Sequence, residues 1–375
     1  MKNSFVKTLS VCLCLVMLLP ICGCRNEGTE ALWDEAKYVE ENSSISAFGD
    51  VDAVCCDGVL YYCWSVPYLY YAAIDGSEAG PLCSKPECTH RSVDCAAHAN
   101  IIIKAQLMMY KGRLFWLEGN AGGYNLVSAE PGSGDRRTEQ RYEHSFWRSH
   151  LGCYSTISNG VLYLAGKGIE IHDGKPNESV FIYAQDLENG SMELVYELVI
   201  EGLEANCLAK RWGDTIYIAI TNNDLCILAF DMSTREVREI VSLNDVGGYS
   251  DMVIEKGRIL LRSENCIRAV DPAAGDSEVI YRGEGVFLFN DKAVLTIADM
   301  AHFRCYDYDN NLIGEWGFDE AGLMFPEAIK FPLGCVDGKL FFRVQPLTED
   351  PNMGYIISCV PEENRFEVVQ AIPRG

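Results

Sequence analysis

Positive charge is scarce in this sequence: 31 Lys and Arg stand against 54 Asp and Glu over 375 residues, leaving −23 with histidine neutral. Nothing in it can neutralise a phosphate backbone in bulk, so nucleic acid is excluded as a partner, and an anionic lipid surface would repel it. Catalytic signatures are missing too: there is no P-loop, no G-x-S-x-G elbow, no H-E-x-x-H and no dinucleotide fingerprint. Paired carboxylates of the kind that hydrolyse glycosides cannot be picked out among so many acids. No run is long enough to span a bilayer comfortably, because the apolar stretch at 8–21 has only the length of a signal-peptide core.

That stretch follows Lys2 and Lys7 and ends in Leu19-Pro20-Ile21-Cys22-Gly23-Cys24. An aliphatic residue, then two residues ending in Gly, then Cys resembles the lipobox of bacterial lipoproteins. The resemblance implies that 1–23 is a signal peptide and Cys24 the lipidated N-terminus, held on the extracytoplasmic face of a bacterial membrane by its acyl chains. Residues 24–47 are then the lipidated Cys and an acidic tether, part of it helical, and 48–375 the folded head.

Of 17 Cys, Cys12, Cys14 and Cys22 fall in the signal. An odd number then remains beyond Cys24, scattered singly, which is not a disulfide framework. Cys153, Cys207, Cys226, Cys266, Cys305, Cys335 and Cys359 sit inside apolar segments and read as buried thiols. Such usage fits an anaerobic habitat.

The head repeats itself. Asp57-Gly58, Lys111-Gly112, Asn159-Gly160, Gly213-Asp214, Lys256-Gly257, Asn290-Asp291 and Asp337-Gly338 each precede a β-branched or aromatic run such as VLYYCW or KLFFRV. These are hairpin turn residues, able to hold positive φ. A second hairpin follows in each copy, its first strand closing near Asp or Glu, as at Asp75, Asp186, Asp231, Asp271, Asp309 and Glu362. Strands apolar on both faces, repeated without helical periodicity between them, predict an all-β fold: a β-propeller of seven four-stranded blades, six or eight being the alternatives. The sixth copy arrives early, only 34 residues after the fifth when counted from Gly257 to Asp291. The repeats resemble the units of TolB-like propellers, "DG-x-LYY … LY-x-x-D-x-x-x-G", over about residues 48 to 373. That resemblance implies the fold and says little about chemistry.

The link after the first copy holds the densest ligand set: Cys83, Cys88, His90, Cys95 and His98. His90-x4-Cys95 has the spacing of a zinc-knuckle half, while Cys83-x4-Cys88 is wider than C-x2-C. Structural zinc, iron, or one disulfide with a spare thiol would each staple a loop of this length. The C-x4-C-x-H-x4-C pattern resembles a segment of propeller lipoproteins from Gram-positive gut anaerobes, and Cys83, Cys88, His90 and Cys95 match it. A second link offers His144, Phe146, Trp147, Arg148 and His150, joined by His172, as a rim for a ligand. Asp307-x-Asp309-x-Asn311 starts like a calcium loop, but Leu312 replaces the required Gly, so a hairpin turn is expected.

The leading expectation is a lipid-anchored binding or scaffold module for an envelope protein, peptide or glycan, monomeric and not an enzyme. The rivals are an envelope glycan hydrolase or lyase using acids at the propeller channel, and a metal or redox sensor at the Cys/His loop.

Overall fold

Each of the seven turn pairs joins two antiparallel strands, and each hairpin continues into a third and fourth strand of the same sheet. The structure, a computed structural model, describes residues 33–45, 53–65, 68–90, 92–99, 107–119, 124–133, 135–142, 150–172, 175–200, 205–221, 223–324, 327–347 and 353–373. Cys24 and the signal stretch lie outside them. The compact unit is Glu35–Gly375.

Seven sheets of four consecutive strands form a ring: blade one at 53–81, two at 108–142, three at 150–200, four at 206–243, five at 251–282, six at 286–317 and seven at 328–373. The protein is a seven-bladed β-propeller. The early sixth copy is a full blade; the interval is short because the second strand of blade five, Arg258–Arg262, has five residues and the first strand of blade six, Val286–Phe289, has four.

Second strands are buried on both faces, as in Thr215–Thr221, whereas fourth strands such as Met192–Ile200 are largely wet. Apolar clusters fill the spaces between blades. Between six and seven, Phe303 sits 4.8 Å from Phe342, and Trp316 stacks on Phe366 at 5.9 Å. Each such aromatic pair adds about 0.5–1.5 kcal/mol beyond its buried area. Blade seven closes on blade one through Leu333, Phe341 and Ile356 against Cys55, Leu60 and Tyr62.

Turn chemistry explains the repeat. Asp57, Lys111, Asn159, Lys256 and Asp337 and the Gly after each hold positive φ, as type I′ hairpins require, and Gly213 does so alone in its pair. Asn290-Asp291 differs: Asn290 Oδ1 accepts the N–H groups of Lys292 and Ala293, so a side chain closes that turn. The recurring Asp at the close of the third strand is a second device of the same kind. Asp75, Asp186, Asp231 and Asp271 each accept backbone N–H groups from the turn that follows, and in blade six Asp307 does so in place of the expected Asp309, because the strand ends at Asp307 and Asp309 lies in the turn. Asp307 also accepts Asn311 Nδ2 at 2.8 Å, so the calcium-like segment is a capped hairpin, as expected. Side-chain hydrogen bonds hold the carboxyls of Asp75, Asp231 and Asp307 below their usual range, from Ser77, Ser233 and Asn311 respectively.

Among the described residues no strand is shared between the first and last blades. A helix, α1 (Glu35–Ser43), links blades across the ring instead. Glu35 pairs with the buried Arg211 of blade four, and Tyr38 Oη accepts the N–H of Met109 in blade two at 3.1 Å. Asn42 brackets Cys55 of blade one, its Nδ2 donating to the carbonyl and its Oδ1 accepting the N–H, both at 2.7 Å. Ser44 donates to the Ile254 carbonyl of blade five and accepts from Cys335 of blade seven. The sequence reading placed these residues in the tether; the structure builds 35–45 into the propeller. The helix lies at the face that carries the first-to-second-strand turns, termed the floor; the face carrying the inter-blade links is the rim.

Candidate metal centre

Blade one ends in a short fourth strand, Ala79–Pro81, and Leu82 N–H still reaches the Leu69 carbonyl at 3.0 Å. The chain then leaves the sheet, and residues 97 and 98 return to it: Leu69 N–H donates to Ala97 O at 2.8 Å, and His98 bridges Tyr68. The Cys/His segment is therefore an excursion from the outer edge of blade one. Ser84 Oγ carries it across to Gly132 O, in the turn between the third and fourth strands of blade two.

Within the excursion, tight turns fold four ligands together. Cys88 N–H bonds Lys85 O, Cys95 N–H bonds Ser92 O, and His90 holds φ +58°, a left-handed conformation that His tolerates better than most residues. The ligand atoms of Cys83, Cys88, His90 and Cys95 all lie within 4.8 Å of one another. Cys88 Sγ is 3.5 Å from Cys95 Sγ, and Cys95 Sγ is 3.5 Å from His90 Nδ1. Bonds of about 2.3 Å to sulfur and about 2.0 Å to nitrogen, set tetrahedrally, imply edges of about 3.5–3.8 Å. These two separations fit edges of such a tetrahedron, and Cys83, Cys88 and Cys95 are free thiols. Cys83 and Cys95 are buried; Cys88 and His90 are partly exposed at the tip.

The Cys88 and Cys95 thiols differ electrostatically. The His90 N–H, 3.4 Å from Cys88 Sγ, and then the Cys95 thiol hold the Cys88 thiol below its ordinary value. Burial pushes Cys95 up to about 12. A cation among the four would stabilise both thiolates, so metal uptake would release protons. His98 is not among the converging ligands; its ring packs edge-on to Tyr68, centroids 6.4 Å apart.

The other expected cluster falls elsewhere. His144, Phe146, Trp147 and Arg148 lie outside the described residues. Of His150 and His172 only the backbone is described: His150 opens the strand His150–Ser158 opposite Gly168, and His172 ends Val161–His172 opposite Lys175. Among the thiols expected to be buried, Cys266, Cys305, Cys335 and Cys359 are buried and free, while Cys207 and Cys226 are half-buried. The Cys153 side chain lies outside the described set.

A second feature was not read from the sequence. Between α1 and the floor turns of blades five to seven lies a cavity of about 430 Å³, lined among others by Lys37, Trp212, Lys256, Glu255 and Asp291. Glu255 Oε1 is buried there with no hydrogen-bond partner among the described residues, and burial raises the Glu255 carboxyl above its ordinary value. Only the Glu-rich stretch around α1 hinted at it.

No family model matches the chain, and no curated protein is significantly similar to it in sequence. Solved structures resemble it in fold at low identity. They include a chain of a nidogen/laminin complex (TM-score 0.43, 9% identity, 69% of this chain and 92% of that one). The CNH domain of AfRom2 gives 0.45 and 10%, covering 86% of this chain and 98% of that one. BamB from Moraxella catarrhalis gives 0.42 and 11%, covering 86% and 87%. Likenesses at this level concern the propeller architecture alone.

Proposed function

We propose that the chain is an extracytoplasmic lipoprotein, acylated at Cys24 and held on a bacterial membrane, whose propeller is a binding or scaffold module. The observation that carries this reading is the seat of α1 in the floor. From Cys24 to Glu35 the chain reaches at most about 36–40 Å at ~3.3–3.6 Å per residue. A link of that length lets the head stand off an anchor at Cys24, and the rim is where propeller links and loops meet ligands. The four ligands of the outer excursion suit structural zinc, since thiolates with one imidazole in a closed tetrahedral set are a zinc donor set. Such an ion would staple the loop at the junction of blades one and two rather than act in catalysis. The test is fractionation of cells making the Cys24→Ala protein, which is expected to leave the membrane or fail to mature. Retention with unchanged processing would overturn the anchoring.

A further inference from the structure

Five of the nine large apolar side chains most exposed among the described residues fall on one stretch of the rim. The second strand of blade six runs out at Ile297, and the next turn carries Met300. The link to blade seven carries Met324, Ile329 stands second in the strand Ala328–Val336, and Leu347 follows Lys339–Pro346. Met324 is 79% exposed and Met300 50%. Cross-links join these turns: Phe318 N–H to Ala301 O at 3.2 Å, Lys330 Nζ to Asp299 O at 3.2 Å, and Leu347 N–H to Glu327 O at 3.1 Å. Scattered apolar residues are normal on a surface; a group of this kind marks an interaction site.

Acids dominate the charge around the group, and the exposed ring among them, His302, is held 2.9 Å from the Asp299 carboxylate. Asp299, Asp319, Glu320 and Glu327 are exposed in the same turns. The cation among them, Lys330, is folded inward, its ammonium 5.4 Å from the Phe303 ring centroid and 5.7 Å from that of Phe318. We propose that the rim of blades six and seven docks a cationic amphipathic segment of a partner protein, aliphatic side chains on the Met/Ile/Leu surface and Lys or Arg on the acids. The inference rests on the binding-module reading and names the partner's chemistry. A glycan would find aliphatic groups where it needs aromatic faces. A second copy seated face to face would set acid against acid, and an anionic membrane would be repelled.

The test uses the full chain in neutral detergent and three synthetic amphipathic helices that share a Leu/Ile face and carry Lys, Ser or Glu on the other. The Lys-faced peptide is expected to bind about tenfold or more tightly than the Glu-faced one, with affinity falling as salt rises. Met324→Asp and Ile329→Asp should each weaken it about tenfold, while Leu194→Asp, at an exposed apolar site on blade three, should not. Equal binding of the Lys and Glu peptides, binding of neither, or the same loss from Leu194→Asp would overturn the proposal. A Ser- or Glu-faced preference abolished by Met324→Asp would also overturn it while leaving a binding module in place. Sedimentation showing a dimer that Met324→Asp dissociates would put a second copy on the rim instead.

Discussion

Replacing Cys88 with serine takes one ligand from a set whose atoms already converge within 4.8 Å. The excursion from 83 to 98 has only short turns of its own, so its order depends on what holds its ends and tip together. At a free metal concentration 100 times Kd, binding favours the closed loop by about 2.7 kcal/mol. Opening of the loop is then about 100-fold rarer, since ~1.4 kcal/mol is a factor of ten. Glu87 is exposed at the tip, which makes a Glu-specific protease a local reporter. Where opening and closing are fast, cleavage follows the open population. A new terminus at Cys88, followed by mass spectrometry, is expected about 100-fold sooner after metal removal by a chelator; Cys88→Ser should speed cleavage after Glu87 alike, its new terminus being Ser. Metal content should fall from one ion per chain to none, with the blades still folded by circular dichroism. Unchanged cleavage and metal content in both cases would refute the reasoning.

Two further perturbations address the floor. Tyr38→Phe removes the hydroxyl that accepts the buried Met109 N–H and leaves that donor unpaired, so denaturant unfolding should show a loss of about 1–3 kcal/mol; no loss would mean that α1 does not bear on blade two. Glu255 has a raised folded pKa, caused first by burial, so its protonated form favours the folded state: that contribution is whole below the ordinary carboxylate range and is lost as pH rises through the raised value. Glu255→Gln should therefore raise the melting temperature at pH 7 and change it little near pH 4, and the opposite pattern in thermal scans would refute the burial argument.

The blades were legible because two local signals repeat. Turn pairs such as Asp57-Gly58 and Lys256-Gly257 demand positive φ, and the Asp closing the third strand caps the next turn; both are fixed by a few neighbouring residues. The four side chains that converge and could hold a metal were legible for the same reason, being packed into one short stretch. Their place at the outer edge of blade one was not, because it depends on residues 97 and 98 rejoining Tyr68 and Leu69 across nearly thirty residues of chain. His98, the fifth candidate, lies outside the converging group with its ring on Tyr68, a difference that spacing does not encode. Helix α1 left little trace: EAKYVEENS buries only Tyr38, Val39 and Ser43, and docks by hydrogen bonds and by ion pairs from Glu35 to Arg211 and from Lys37 to Asp57, which hydrophobic periodicity does not register. The apolar rim was also silent in the sequence, since Ile297, Met324 and Leu347 meet only when blades six and seven stand side by side.

Photo-crosslinking in intact cells tests the functional account most directly. A photoreactive residue at Met324, on the rim, is compared with one at Asp214, exposed on the floor. The account predicts a discrete protein adduct from position 324 that Ile329→Asp abolishes, and none from position 214. No protein adduct from the rim, or the same adducts from both faces, would contradict it.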